Sequence, residues 1–267
     1  MKALLRILLC ILVMSSLCFA DTALREKMNI EKIIWTVSDV YPPYIFNFSD
    51  KNQGFAIDVM REIFTPLGYS VDYQTVGWDR AIQMVARGYA DCLPGAYAEH
   101  AKYMNVPIPK TAVGKMRIHF FCKKNSWVDK NWEYDGTEKT LSQVKIGVMA
   151  GASYGSELDP YLKQADKFMV QENYGAYATR NNILKVLSGR IDVMIEDYQA
   201  VMHELKRMKL LEMIVSAGHE KNPGTPYYIF FSKKSPFYSK YTSLLETNLP
   251  KFKQSSKFKN LQERYFK

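Results

Sequence analysis

Apolar positions along this chain follow two rhythms, one of period two and one of period three to four, and the alternation between them predicts an α/β fold. Residues 33–37 form a short apolar run of the kind that makes a buried strand. After Gly54, the residues Val59, Met60, Ile63, Phe64 and Leu67 recur at helical spacing, with Pro66 and Gly68 closing the helix. Val71, Tyr73 and Thr75 alternate as a second strand. Asp79 is placed to cap a helix through Ala81, Ile82, Met84 and Val85 that stops at Gly88, and residues 89–93 read as a third strand. Strand–helix–strand–helix–strand at these lengths predicts a parallel sheet with right-handed crossovers.

Residues 94–114 interrupt the pattern with prolines and small residues. Residues 115–122 are strand-like again, and residues 125–140 are polar, aromatic-rich and expected to run over the surface. A second α/β run then begins. It has a strand over 145–149, a turn at Gly151-Ala-Ser153-Tyr-Gly155, a helix through Leu158 and Leu162, and a strand over 168–170. A helix carrying Ile183, Leu184, Val186 and Leu187 ends at Gly189, before a strand over 191–195. Gly88-Tyr-Ala-Asp91 after one helix echoes Gly189-Arg-Ile-Asp192 after another, which predicts two similar lobes. Residues 227–231 return as a strand. Terminal helices carry Tyr241, Leu244, Leu245, Leu249 and Leu261, and they cover the first lobe if the chain crosses back. Two crossings make a hinge.

Residues 1–20 change this picture by leaving it. Lys2 and Arg6 precede an apolar core over 7–13, and Cys18-Phe19-Ala20 reads as a cleavage site, so the segment is expected to be an export signal. The formal charge of +9 then falls to +7, because the segment holds two bases and no acid. Much of the excess lies on the C-terminal helical patterns beside apolar partners, where it reads as a solvated face; no nucleic acid partner is expected. Cys10 and Cys18 leave with the signal. Cys92 and Cys122, without metal-ligand spacing and inside apolar runs, are expected to be buried thiols and not a disulfide. No second long apolar stretch follows, so the mature chain is expected to be soluble and monomeric.

The chemistry-bearing residues collect at strand ends. Asp39 and Asp197 are both predicted there, where carboxylates serve as acid/base groups or hold a cationic ligand group; the lesser alternative for Asp197 is a helix N-cap only, and Glu196 is expected to point elsewhere on the turn. Tyr41, Tyr44, Trp78 and Tyr97 fall at strand ends or in the loops after them, the positions of pocket-lining aromatics. Gly151-Ala-Ser153-Tyr-Gly155 fits the G-x-S-x-G nucleophile pattern, with Asp197 and His219 following in hydrolase order. The lobe around it is short for that fold, and no glycine-rich oxyanion loop precedes it. Ser153, Tyr154 and backbone N–H groups at a helix start make a neutral anion cradle instead. His100, His119, His203 and His219 show no ligand pairing, and phosphate-loop and dinucleotide fingerprints are absent from the sequence, so neither metal nor cofactor is expected.

Five segments together carry a resemblance. They are Ser38-Asp39-Val-Tyr41-Pro-Pro-Tyr44, Gln53-Gly54-Phe55-Ala-Ile-Asp58, Gly88-Tyr-Ala-Asp91, Lys145-Ile-Gly-Val-Met-Ala-Gly151-Ala-Ser153-Tyr154, and Gly189-Arg-Ile-Asp192 followed by Asp197. In this order and spacing the chain resembles the extracellular solute-binding proteins of polar amino acid ABC transporters, over essentially all of its mature length. The resemblance implies a two-lobed type II periplasmic-binding-protein-like α/β fold, with mostly parallel sheets and a double-crossover hinge. Its lobes would be 21–112 plus 225–267, and 113–224.

By the same resemblance, Asp197 holds a ligand amino group, Asp39 and Tyr41 line the first lobe, and Gly151 to Tyr154 help hold a carboxylate. An arginine that pairs with the α-carboxylate is replaced here by the Ala98-Glu99-His100-Ala101-Lys102 stretch, with His100 at the matching place. A neutral imidazole cannot reproduce the guanidinium fork, which leaves room for a cationic or aromatic small molecule. The expected function is non-enzymatic capture of a small polar solute for an inner-membrane ABC permease. The alternatives are a dehydratase-like enzyme on the same fold and a periplasmic sensor.

Overall fold

The structure is a computed structural model that describes residues 32–47 and 53–267. The export signal expected over 1–20 lies outside the described residues. Two five-stranded sheets, each flanked by helices, make up the rest. In the first, β1 (Ile33–Ser38) lies between and parallel to β2 (Ser70–Thr75) and β3 (Cys92–Tyr97). The late strand β10 (Thr225–Phe231) pairs antiparallel with β3 on one side and with β4 (Gly114–Met116) on the other. In the second, β6 (Ile146–Met149) is parallel to both β7 (Val170–Asn173) and β8 (Val193–Asp197), while β5 (Ile118–Lys123) runs antiparallel to β8 and to β9 (Ile214–His219). Both sheets are therefore mixed, with a parallel part and an antiparallel part.

The strand expected over 115–122 is two strands. Pairing with β10 draws Gly114–Met116 into the first sheet, and Arg117 separates them from β5 in the second. The sequence-based division at 113 had put these three residues in the other lobe. Apolarity alone cannot report this change of sheet, because Met116 and Ile118 are both buried, one against each sheet's core.

Helix α1 (Phe55–Phe64) begins at Gly54, whose φ of 105° is open only to glycine at low cost. It packs one face of the first sheet together with α9 (Tyr238–Lys253) and α10 (Ser256–Phe266), bringing Phe55, Phe64, Tyr241, Leu249 and Phe258 into one core. Burying each such side chain stabilises the fold by about 1.5–3 kcal/mol. Helix α2 (Trp78–Arg87) covers the opposite face through Ala81 and Val85, and the short helices α3 (Ala101–Met104), α4 (Trp127–Asn131) and α5 (Glu138–Leu141) follow it along the chain. The second sheet has the same two-sided cover: α7 (Ala178–Leu187) and α8 (Tyr198–Met208) on one face, and Leu141, Leu158, Trp132 and Tyr134 on the other. Trp132 and Tyr134 are buried against Phe120, so residues 125–140, expected to run over the surface, close that core. Their aromatic content was the signal, outweighed by the polar residues around it. Cys92 and Cys122 are buried free thiols.

The echo between the two runs has a structural basis. Asp91 accepts the backbone N–H of Trp35 at 3.0 Å and returns its own N–H to the Trp35 carbonyl at 2.8 Å. Asp192 treats Lys145 in the same way, at 2.8 Å in both directions. In each sheet an aspartate three residues beyond the helix-ending glycine pins the first parallel strand near its beginning.

Candidate functional site

A cavity of about 130 Å³ lies where the two sheets face each other. The first sheet contributes the end of β1 (Ser38, Asp39), the Tyr41–Ile45 turn, Trp78, residues 94–97, His100 and Met116. The second contributes Ile118, residues 149–154, Gly175 and Glu196. A wider cleft of about 1410 Å³ continues outward from it, sharing Trp78, His100 and residues 151–154. Of the nine residues singled out in the sequence, Asp39, Tyr41, Tyr44, Trp78, Tyr97, His100, Ser153 and Tyr154 line the cavity, and Asp197 does not.

Asp39 sits where β1 stops. Its carboxylate accepts the N–H of Val40 at 2.7 Å and that of Trp78 at 3.1 Å, so Asp39, and not Asp79, holds the first turn of α2. Burial pushes its pKa up despite those two donors. The chain then turns through the cis Pro42-Pro43 bond and a bridge between Tyr41 and Ile45. This turn stacks the Tyr41 and Tyr44 rings 5.7 Å apart and directs both hydroxyls at the second sheet.

There the Tyr41 hydroxyl donates to Glu196 at 2.6 Å and the Tyr44 hydroxyl to Asp197 at 2.8 Å. Both carboxylates are buried. Asp197 is a helix cap: its oxygens accept the N–H of Ala200, the N–H of Arg117 and the Tyr44 hydroxyl, which leaves it behind the cavity wall. Glu196 takes the position on the wall. It accepts from Tyr41, from the N–H of Asp197 at 2.9 Å and from the Thr179 hydroxyl at 3.1 Å. Burial raises Glu196 to about 7 and Asp197 to about 6, because the donors around them are neutral and no cation offsets the lost hydration.

The expectation for Glu196 is thus reversed. Successive strand residues point to opposite faces, so when Asp197 turns back to cap its helix, Glu196 reaches the cavity. The available signal was the pairing of two acids at a strand end, one of which had to be the cap.

The turn expected to cradle an anion is already filled. Asp159, at the start of α6 (Asp159–Gln164), accepts the Ser153 hydroxyl at 2.9 Å and the N–H of Tyr154 at 2.8 Å. Ser153 in turn accepts the N–H of Gly155. The helix starts later than the glycine pattern implied, and its own acid occupies the donors. The Tyr154 hydroxyl accepts the N–H of Met149 at 2.7 Å, which fixes its ring in the cavity wall.

His100 is held by its own turn: its Nδ1 accepts the N–H of Tyr97 at 3.0 Å, and its ring stands edge-on to Trp78. Burial lowers its pKa, so the ring is neutral and its proton lies on Nε2. The hydrolase arrangement does not form. Ser153 bonds to Asp159, Asp197 bonds to Tyr44 and two backbone N–H groups, and His219 bonds through Nδ1 to the Glu220 carbonyl. His219 does face His119 across β5 and β9, with ring centroids 5.3 Å apart, a pairing invisible at a separation of 100 positions. Among the described residues no group of three or more His, Cys, Asp or Glu is arranged to hold a metal ion.

Solved structures share this architecture. An ancestral arginine-binding protein bound to arginine is similar at a TM-score of 0.68 and 20% identity, over 88% of this chain and 99% of that one. The substrate-binding protein AbpA of an amino acid ABC transporter from Streptococcus pneumoniae, bound to L-arginine, is similar at 0.68 and 16% identity, over 90% and 97%. An ancestral amino acid-binding protein, a precursor of cyclohexadienyl dehydratase, is similar at 0.65 and 19% identity, over 91% and 98%. At these identities the shared property is the fold. No curated protein sequence matches the chain. The family of bacterial extracellular solute-binding proteins, family 3, matches residues 33–267, and the chain belongs to that family.

Proposed function

We propose that this protein captures a small polar solute in the periplasm by closure of its cleft and presents it to the permease of an ABC importer. The observation that carries this reading is the cavity shared by two sheets, with Tyr41 and Tyr44 of one bonded to Glu196 and Asp197 of the other. A solute that touches both walls has contacts in the closed arrangement that it lacks in the open one. That difference in affinity shifts the population toward closure. The lobes in this reading are 21–112 with 225–267 and 113–224, with Gly114–Met116 moved to the first by its pairing with β10. The protein acts as a monomer, without a cofactor and without chemical turnover.

The test is purification without refolding, followed by native mass spectrometry and small-angle scattering. A retained small molecule that leaves unchanged on mild unfolding, and a smaller radius of gyration in its presence, support capture by closure. Chemical conversion of that molecule by the protein would overturn the non-enzymatic part of the reading. One observation favours this second reading: burial raises the Glu196 carboxyl in the cavity wall to about 7, the range in which a general acid/base group of a dehydratase-like reaction works. Purified permease, reconstituted with its ATPase, tests the transport step by ligand-dependent ATP hydrolysis in the presence of this protein.

A further inference from the structure

The cavity holds an uneven set of charges. Among the described residues that line it, Asp39 and Glu196 are the ionisable acids, and neither lysine nor arginine is present. His100, whose Nδ1 accepts the Tyr97 N–H, stands there as an uncharged ring with a single Nε2–H donor and brings no positive charge. The turn at 151–155, the remaining place where a carboxylate would find backbone and hydroxyl donors, gives them to Asp159. No side chain that lines the inner cavity therefore offers a formal positive charge to a carboxylate; the lysines and arginine nearby belong to the outer cleft. Glu196, in contrast, is a buried carboxylate whose three donors are all neutral. Such a group is short of countercharge, and a bound cation supplies it.

The rest of the wall fits the same ligand. The rings of Tyr41, Trp78, Tyr97 and Tyr154 border the cavity, and aromatic faces attract ammonium groups through the ring quadrupole. A volume of about 130 Å³ is close to that of a cavity that takes a benzene-sized group. A charged head of a few heavy atoms fills it, and a longer body passes Trp78 into the outer cleft. We infer that the ligand is an organic ammonium ion that carries no carboxylate, with its charged head between Asp39 and Glu196 and its carbon frame against the aromatic wall. This rests on the reading of the cleft as a solute site and adds the charge class of the solute.

Three matched pairs of probes test it by titration calorimetry: tyramine against tyrosine, agmatine against arginine, and choline against betaine. At least one carboxylate-free member is expected to bind at least tenfold more tightly than its partner. Glu196→Gln, which keeps the shape and the oxygen that accepts from Tyr41, is expected to weaken that binding at least tenfold while the variant melts as a single cooperative unit. Preference for the carboxylate-bearing partners, or undiminished binding by Glu196→Gln, overturns the inference and leaves the cleft reading standing. So does a natively retained molecule that carries a carboxylate. Silence of all six probes with no retained molecule overturns the cleft reading, and this inference falls with it.

Discussion

Tyr41 and Glu196 stand 155 positions apart in the sequence and share a hydrogen bond of 2.6 Å that joins the two sheets. Tyr44 and Asp197 repeat the contact three residues and one residue further along. The cavity wall is thus closed by tyrosine hydroxyls in the place where a cation would neutralise the acids. Bonds between a hydroxyl and a buried carboxylate are worth about 1.5–3 kcal/mol.

Tyr44→Phe keeps the buried ring and removes the hydroxyl. Asp197 keeps its two backbone donors and loses the one from the other sheet. The variant is expected to lose about 1–3 kcal/mol in urea unfolding. A loss below about 0.5 kcal/mol would show that the hydroxyl bond is not made in solution.

The two acids set a pH dependence whose sign follows from their raised values. Glu196 goes from an ordinary 4.5 to about 7, and Asp197 from 3.8 to about 6, chiefly through burial. The folded protein therefore holds these protons more tightly than the unfolded chain. Their contribution is fully present below about pH 4 and is lost as pH rises to about 7, at a scale of about 1.4 kcal/mol per pKa unit. Other carboxylates titrate in this range, so the measurement is the difference in melting temperature between the wild type and Glu196→Gln from pH 4.5 to 8. The wild type is expected to lose stability relative to the variant as pH rises. A difference that does not change with pH would show that Glu196 titrates normally.

Asp159→Ala should open the turn that Asp159 now fills. Freed, the Ser153 hydroxyl and the Tyr154 N–H become donors to an external anion. Calorimetry with acetate is expected to show weak, millimolar binding by the variant and none by the wild type, with a stability cost of about 1–2 kcal/mol for the lost turn bonds. Equal behaviour of the two proteins would mean that the turn closes in some other way.

Asp91 and Asp192 make the same backbone contact in the two sheets but differ in setting. Asp91 is buried and also accepts the Ser235 hydroxyl, whereas the Asp192 contact is exposed. Asp91→Ala is expected to cost about 2–3 kcal/mol and Asp192→Ala about 1 kcal/mol, with ligand affinity unchanged in both. The reverse order in urea unfolding would sink this explanation of the echo.

Gly54→Ala tests the approach of α1 to the aromatic turn. An added Cβ would meet the Tyr44 carbonyl oxygen and stand 2.7 Å from the Ile45 Cα, at a φ that side chains rarely adopt. The expected cost is about 3 kcal/mol or more, with displacement of Tyr44 seen as weakened ligand binding. A variant of wild-type stability and affinity would show that the turn is free to move.

Hydrophobic periodicity placed most of the helices and strands and, through the repeated Gly-x-x-Asp, the two-fold likeness of the halves. Those signals are local, because a strand's alternation and a helix's stripe are properties of a few consecutive residues. Four aromatic residues at strand ends, Tyr41, Tyr44, Trp78 and Tyr97, likewise line the cavity, as do four of the other five residues that the sequence brought forward. What the sequence could not determine was who occupies whom. Whether Asp197 or Glu196 faces the ligand depends on a helix cap and on a tyrosine 153 positions away. Whether the Ser153 turn is open depends on the placement of Asp159. Whether residues 114–116 belong to one sheet or the other depends on a strand more than 100 positions later. Hydrogen-bond donors and acceptors are shared among groups that meet only when the chain folds, and so tertiary structure alone decided that Glu196 lines this cavity, that Asp197 caps a helix behind it and that Asp159 fills the Ser153 turn.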